Sequence, residues 1–400
     1  MGAVGAGSDA GVNQPNDAVD LIRTTFLDPC GVGSARRYFA LRGRLGVDAF
    51  LPVDARRAAA NSLQRRTDET RWIGLFGRRC LAAGVRCGIV PRASRTRFEL
   101  PAPDADNLAG AVAAALGRDD IVIAGVLGPV RPNLKPVLQV FDESGATLAF
   151  VKIGWNDLTR RLVTHEHDVL VSLRPDSTMS VPQAIARCEV GAAVGLVLSP
   201  LPLWHFGRRP HDAPAGSVIA AIATLRGPMV ERGLSDSTFV QSLATVADES
   251  TTGAATLRRA LDRVLADIGS TTLRFGASHG DFSPWNTLRT GGHIAIWDWE
   301  RFRADVPVGL DLIHYITQQQ ARRPLESLPA VATGDFGAAQ SALAELGVAR
   351  NMVDAFVTLY YADLLTRYER DAQGGDAPGL RAMRDVAERA LRARLDRTST

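Results

Sequence analysis

Apolar residues follow two different rhythms along this chain. Between Ile121 and Leu198 they form short runs of strand length: Ile121–Ala124, Pro136–Phe141, Thr147–Lys152, Ala184–Val190 and Gly195–Leu198. The second and third flank Asp142-Glu143-Ser144-Gly145, a turn sequence, so the first three runs predict an antiparallel meander. From Ser217 the rhythm becomes helical, predicting helices over Ser217–Leu225, Ser237–Ala247, Thr252–Ile268, Val308–Gln320, Asp335–Leu346, Arg350–Tyr368 and Gly379–Leu395. Two further helices belong with the strands, Asp104–Leu116, opened by an Asp cap, and Asn156–Arg174. Ahead of them come a strand at Arg37–Arg42, helical runs at Asp54–Arg66 and Thr70–Ala83, and a strand at Thr96–Leu100 stopped by Pro101. Residues 1–16 carry no periodicity and are expected to be disordered. The pattern predicts an α+β chain: an additional N-terminal α/β segment (17–103), a small antiparallel-sheet lobe (104–198) and a large helical lobe (199–400).

Composition narrows what this chain does. Its 400 residues exceed one ordinary core, and 46% hydrophobic with 22% charged residues describes a globular protein. The net charge of +3 spreads 46 basic residues among 43 acids without blocks, which leaves no footprint for nucleic acid. No run reaches the roughly 20 apolar residues of a membrane helix, nor is there a signal-peptide pattern, so a cytoplasmic protein is expected. Cys30, Cys80, Cys87 and Cys188 lack paired metal-ligand spacing and read as reduced thiols. One bias is informative: only Lys135 and Lys152 are lysines. In so arginine-rich a chain, lysine persists mainly where a compact ammonium is needed, as beside phosphates.

The densest chemistry lies in His279-Gly280-Asp281-Phe282-Ser283-Pro284-Trp285-Asn286, followed by Asp298 at the end of the apolar run Gly292–Trp297. Phosphoryl transfer needs positioning and charge neutralisation more than covalent chemistry. Asp281 can orient or accept the proton of an attacking hydroxyl; Asn286 and Asp298 can offer Mg²⁺ its oxygen ligands. The order copies H-x-D-x-x-x-x-N followed by D-x-x. With glycine between His and Asp, and Asp298-Trp299-Glu300 as the later triplet, the chain resembles the aminoglycoside phosphotransferase and choline kinase branch of the protein kinase-like fold. The resemblance covers about residues 104–400. Regulated protein kinases carry at the position of Gly280 an arginine that pairs with a phosphorylated activation loop, so its absence argues against that mode of control.

The resemblance implies a two-lobed fold, ATP and Mg²⁺ as cofactors, and a small-molecule hydroxyl acceptor. Lys152, closing Phe150-Val151-Lys152, would hold nucleotide phosphates and be oriented by Glu166 on the next helix, with Asp168 as the competing partner. Gly128 lies in the connection Gly125–Asn133, where a phosphate-covering loop belongs, although the full G-x-G-x-x-G pattern is missing; Arg131 and Asn133 are further contacts there. Ser199-Pro200-Leu201-Pro202 falls where the hinge binds the adenine edge, and its prolines leave the amides of Ser199 and Leu201 as donors. Asp311 is expected to anchor the catalytic loop, and His279 to support it by packing. Glu300 is either a metal or water contact or an exposed acid. From Glu300 to Thr400 fourteen acids face thirteen arginines, a balance that favours a neutral or weakly charged acceptor such as a sugar over a polycation. The sixteen arginines of residues 1–115 against eleven acids mark either a docking surface for an anionic partner or solvated helix faces. An alternative function is a nucleotide-binding scaffold without transfer activity, recruiting a partner through the N-terminal segment. Protein-kinase activity is a weaker third, since no Ala-Pro-Glu segment follows Asp298. Oligomeric state is not legible.

Overall fold

The computed structural model describes residues 35–42, 48–64, 72–94, 96–104, 106–127, 133–201, 214–249, 252–290, 293–321, 325–373 and 378–397. The stretch 1–16, Cys30, Gly128 and Arg131 lie outside them. Among the described residues nine strands precede residue 199: β1 (Ala35–Arg42), β2 (Asp48–Pro52), β3 (Arg97–Pro101), β4 (Val122–Leu127), β5 (Val137–Phe141), β6 (Thr147–Gly154), β7 (Met179–Ser180), β8 (Ala184–Val190) and β9 (Ala193–Leu198). All but β7 form one antiparallel sheet in the order β3-β1-β2-β4-β5-β6-β9-β8. Strand period two sorts the side chains between its faces. Phe39, Leu51, Val122 and Phe141 pack under α1 (Arg56–Leu63) and α2 (Trp72–Arg86), with the short α3 (Ile89–Ala93) following. Tyr38, Phe50, Leu138, Val140 and Val151 pack on the other face, against Leu108 and Val112 of α4 (Leu108–Leu116).

This sheet runs unbroken through the boundary expected at residue 103. Strand β2 pairs with β4 from Asp48↔Leu127 to Phe50↔Gly125, so the N-terminal segment extends the small lobe's own sheet. Gly125 permits that join, because a Cβ there would stand 2.5 Å from the Phe50 ring. The start of α4 needs one correction: the cap is Asn107, whose side chain accepts from the amide of Gly110 at 2.8 Å, while the amide of Asp104 donates to Asn107. Helix α5 (Asp157–Ser172) opens on a reciprocal capping box between Asn156 and Thr159.

Beyond residue 199 helices dominate: α6 (Gly216–Ala223), α7 (Thr238–Glu249), α8 (Ala254–Ile268), α9 (Leu310–Ala321), α10 (Leu328–Ala332), α11 (Gln340–Glu345), α12 (Val353–Gln373) and α13 (Pro378–Arg397). Two small sheets interrupt them. β10 (Val230–Gly233), β11 (Thr272–Ser278) and β14 (Arg303–Pro307) form one; β12 (Thr287–Thr290) and β13 (His293–Ile296) form the other with β7. One apolar core holds this lobe and reaches across to the first sheet through Val163, Val169 and Leu170 of α5 and Leu196 and Leu198 of β9. The result is two lobes, a small one built on the antiparallel sheet and a large helical one, with the N-terminal strands and helices added to the small lobe's edge.

Candidate active site

The catalytic-loop candidate begins where β11 ends. Gly280 has φ +77°, and a Cβ there would lie 2.1 Å from the carbonyl oxygen of Arg301, so only glycine fits. Asp311, in the first turn of α9, accepts from the Ser278 hydroxyl (2.9 Å) and the amides of His279 (2.8 Å) and Gly280 (3.0 Å). Arg367 of α12 donates to the Gly280 carbonyl at 2.6 Å. The turn is therefore held by a carboxylate on its donors and a guanidinium on its acceptor. His279 is fully buried, 4.5 Å from the Trp299 ring centre. Its Nδ1 accepts from the Asp281 amide and its Nε2 donates to the Trp297 carbonyl, both at 3.1 Å, which fixes one neutral tautomer. Burial pushes its pKa below the usual imidazole value, against the pull of the neighbouring acids.

Asp281 is gripped on both oxygens. Asn286 Nδ2 donates to Oδ2 at 2.9 Å and to the Asp281 carbonyl at 3.0 Å, which leaves the Asn286 side-chain oxygen as the atom for a cation. His314 Nε2 donates to Oδ1 at 3.0 Å, and its Nδ1 stands 3.0 Å from the Tyr360 hydroxyl. Burial raises the Asp281 pKa, but the His314 hydrogen bond and charge outweigh it and hold the carboxyl below its ordinary value. Asp298 is near enough to oppose that ionisation.

A tight hairpin brings the second acid in. Strands β12 and β13 pair Thr287 with Ile296, and the Trp297 amide donates to the Asn286 carbonyl at 3.1 Å, so Asn286 and Asp298 leave the same open end. Asp298 has φ +74°, a left-handed conformation that Asp tolerates better than most side chains. Lys152, on β6 opposite Leu196 of β9, reaches both Glu166 oxygens (2.6 and 2.7 Å) and Asp298 Oδ1 (2.5 Å). Glu166 is fully buried and also accepts from the Trp299 amide at 3.1 Å. Lys135 Nζ lies 2.9 Å from each Glu300 oxygen, yet only Oε1 is in hydrogen-bond geometry, and buried Oε2 has no hydrogen-bond donor among the described residues. Ligand atoms of Glu166, Asp298 and Glu300 fall within 4.8 Å of one another, so three carboxylates and two ammonium groups form one cluster in which Glu166 and Glu300 are buried and Asp298 half-buried.

The electrostatics follow from that crowding. Burial lowers the Lys152 pKa, but Asp298, Glu166 and Glu300 more than reverse this and hold it well above the lysine range. Burial pushes Asp298 up, and Lys152 and then Lys135 bring it below the ordinary carboxyl value. Glu166 is shifted upward by burial, with Lys152 opposing and the other acids assisting. The trio offers hard oxygen donors, the chemistry Mg²⁺ requires.

The structure thus brings together Lys152, Glu166 and Asp298, and places Asp281 against Asn286. Asp168, the other candidate partner of Lys152, faces outward and pairs with His167. Glu300 is buried, not an exposed acid. The expectation for Ser199 needs correcting: its amide donates to the Gln183 carbonyl at 2.9 Å and its hydroxyl accepts from the Gln183 amide at 2.9 Å. The β8–β9 ladder extends one step beyond its strands and takes the donor that a base would need. Leu201 is half-buried just past that step. His314, Tyr360 and Arg367 were not anticipated. His314 has the strongest signal, the one polar ring in Leu312-Ile313-His314-Tyr315-Ile316, but helical spacing alone reads it as core.

No protein-family model matches the sequence, and no curated protein matches it. Among solved structures the chain is similar to a thermostable mutant of an aminoglycoside phosphotransferase in a ternary complex with ADP and hygromycin B, at 13% identity and a TM-score of 0.45, covering 72% of this chain and 98% of that one. It is similar to a choline kinase from Streptococcus pneumoniae at 13% identity and a TM-score of 0.44, covering 71% and 96%. A putative fructosamine-3-kinase from Haemophilus somnus 129PT is similar at 12% identity and a TM-score of 0.39, covering 70% and 96%.

Proposed function

We propose that this chain is an ATP-dependent O-phosphotransferase acting on a small hydroxyl-bearing molecule. The observation that carries the reading is the convergence of Lys152, Glu166 and Asp298 on one buried point beside an Asp281 fixed on both oxygens. Lys152 holds the α- and β-phosphates and Glu166 holds Lys152, as an anion must when a lysine is buried. Asn286, Asp298 and Glu300 are the oxygen donors for Mg²⁺, which when bound neutralises the phosphate charge. Asp281 accepts the proton of the acceptor hydroxyl as its oxygen bonds to the γ-phosphorus and the bond to ADP breaks. The Leu201 amide remains the hinge donor of this reading, and Gly128 its phosphate-loop glycine.

The acceptor is read as neutral or weakly charged, a sugar or sugar-containing compound. Acids of the large lobe are largely committed within the protein: Asp363 to Arg303, Asp371 to Arg301, Asp354 to Arg394, Glu388 to Arg392, and Asp311 to the catalytic loop. A polycation would find few uncommitted counter-charges there. The test is ATP consumption with Mg²⁺ across sugars, amino alcohols, aminoglycosides and macrolides, with Asp281→Asn as control. Acceptor-dependent turnover lost in the control supports the reading. Nucleotide binding with no acceptor phosphorylated across the panel moves the weight to the scaffold alternative.

A further inference from the structure

The acidic cluster holds one more cation than the transfer chemistry asks for. Of 46 basic residues two are lysines, and from different parts of the small lobe both end in one cluster of three carboxylates, Lys152 on Glu166 and Asp298 and Lys135 on Glu300. Lys135 precedes β5, and its partner Glu300 lies 165 residues away in the large lobe. Its backbone surroundings are pinned: Trp155 Nε1 donates to the Leu134 carbonyl at 2.7 Å, and Nζ itself donates to the Asn133 carbonyl at 3.0 Å. The four-carbon stem can therefore swing while the main chain stays. Its grip on Glu300 is incomplete, since Nζ is 2.9 Å from Oε2 outside hydrogen-bond geometry and that oxygen has no hydrogen bond among the described residues. Arg301, the next residue, by contrast makes two parallel bonds to Asp371 at 2.6 and 2.9 Å.

On the phosphotransferase reading, we propose that Lys135 is a resident stand-in cation. It neutralises Glu300 in the empty cleft, excludes a free divalent ion from the acidic cluster, and transfers to the nucleotide phosphates when they arrive. Without Lys135, three clustered carboxylates, two of them buried, would share one ammonium, an arrangement that desolvation penalises unless another positive charge enters. A nucleotide supplies the anion that draws Nζ off Glu300, whose freed oxygens then become ligands. Lysine suits an exchangeable contact of this kind, being a compact point charge on a flexible stem.

The experiment is Lys135→Met, read by two binding measurements in the absence of acceptor. Free Mn²⁺ titrated alone and followed by its spin-resonance signal is expected to bind about tenfold tighter than to the wild type, and ATP in excess chelator about tenfold weaker, the size of one charge-assisted hydrogen bond. Glu300→Gln releases Lys135 and is expected to show the mirror image, weaker Mn²⁺ and ATP binding at least as tight. Thermal melting confirms that each variant is folded. Opposite movements of the two affinities support the proposal. Unchanged affinities, or both weakening together, overturn it while wild-type ATP binding leaves the phosphotransferase reading standing. A folded wild type that binds no ATP at all removes both.

Discussion

Two sets of buried ion pairs stand side by side along this chain, and they are built from different cations. Asp298 and Glu300 meet lysines, while Arg301 and Arg303, the next basic residues, meet Asp371 and Asp363 of α12. The guanidinium pairs are two-pronged, with Arg303 reaching both Asp363 oxygens at 2.6 Å. Fork-to-fork geometry fixes direction as well as distance, so these pairs fasten the segment after the metal-ligand candidates to the large lobe. The ammonium contacts fix no direction. Their carboxylates can exchange a lysine for a metal ion without rebuilding the backbone. Arginine thus serves the permanent frame and lysine the replaceable charge, which gives the lysine scarcity of the sequence a physical sense.

The comparison is sharpest in two truncations. Lys152→Met is expected to cut turnover about a thousandfold, in the range for losing a central electrostatic contact. Its stability cost should stay modest, because Glu166, already displaced upward by burial, can take a proton and so avoid a bare buried charge. Arg301→Met should do the reverse, costing about 3–5 kcal/mol of stability because Asp371 is left charged and buried. Denaturant unfolding and single-turnover rates measured on both proteins check the pair. Equal stability losses would erase the distinction between frame and exchangeable charge.

His314 offers a smaller effect on a third kind of contact, a single hydrogen bond that positions. His314→Gln should lower kcat roughly tenfold with KM little changed, since Asp281 loses one of its two fixings and the nucleotide contacts stay. A change confined to KM would show that His314 serves binding and not the alignment of Asp281.

The smallest effect is in pH. His279 has a lowered pKa, so between that value and the ordinary histidine value the unfolded chain binds a proton that the native one does not. The contribution of this group should therefore fall as pH drops below about 6.5, by at most about 1.4 kcal/mol per unit, while Glu166, pushed up to about 7, contributes with the opposite sign over the same range. Asp281 and Asp298, with lowered pKa values, stay ionised there and contribute no such slope until more acid pH. Unfolding free energies from pH 7 to 5 for the wild type and His279→Gln test this: the wild type should lose stability relative to the variant as pH falls.

What could be read in advance divides along physical lines. Asp281, Asn286, Asp298 and the Lys152–Glu166 pair were legible because their chemistry fixes residue type and spacing within short, local segments. His314 was not, because its partner Asp281 lies 33 residues away and an apolar helix surrounds it. Lys135 stood out by rarity, but only folding shows that Glu300 receives it. Strands β10, β11 and β14 escaped detection for a related reason. They are short and paired far along the chain, as Gly233 with Thr272 and Phe275 with Pro307, so local alternation hardly marks them. The Ser199 donor was misread because prolines report which amides exist, while only the ladder to Gln183 reports which are already used.

The glycine of the catalytic loop carries a consequence for descent. Position 280 has no space for a side chain, because the Arg301 carbonyl occupies the place of a Cβ. A single substitution to the arginine that reads activation-loop phosphate would break the turn before it could confer regulation. Two conformational changes would have to precede it, one at Gly280 and one in a segment fastened by Arg301 and Arg303. On the proposed reading, a side chain at position 280 that could answer to a phosphate would therefore require the main chain on both sides to move first.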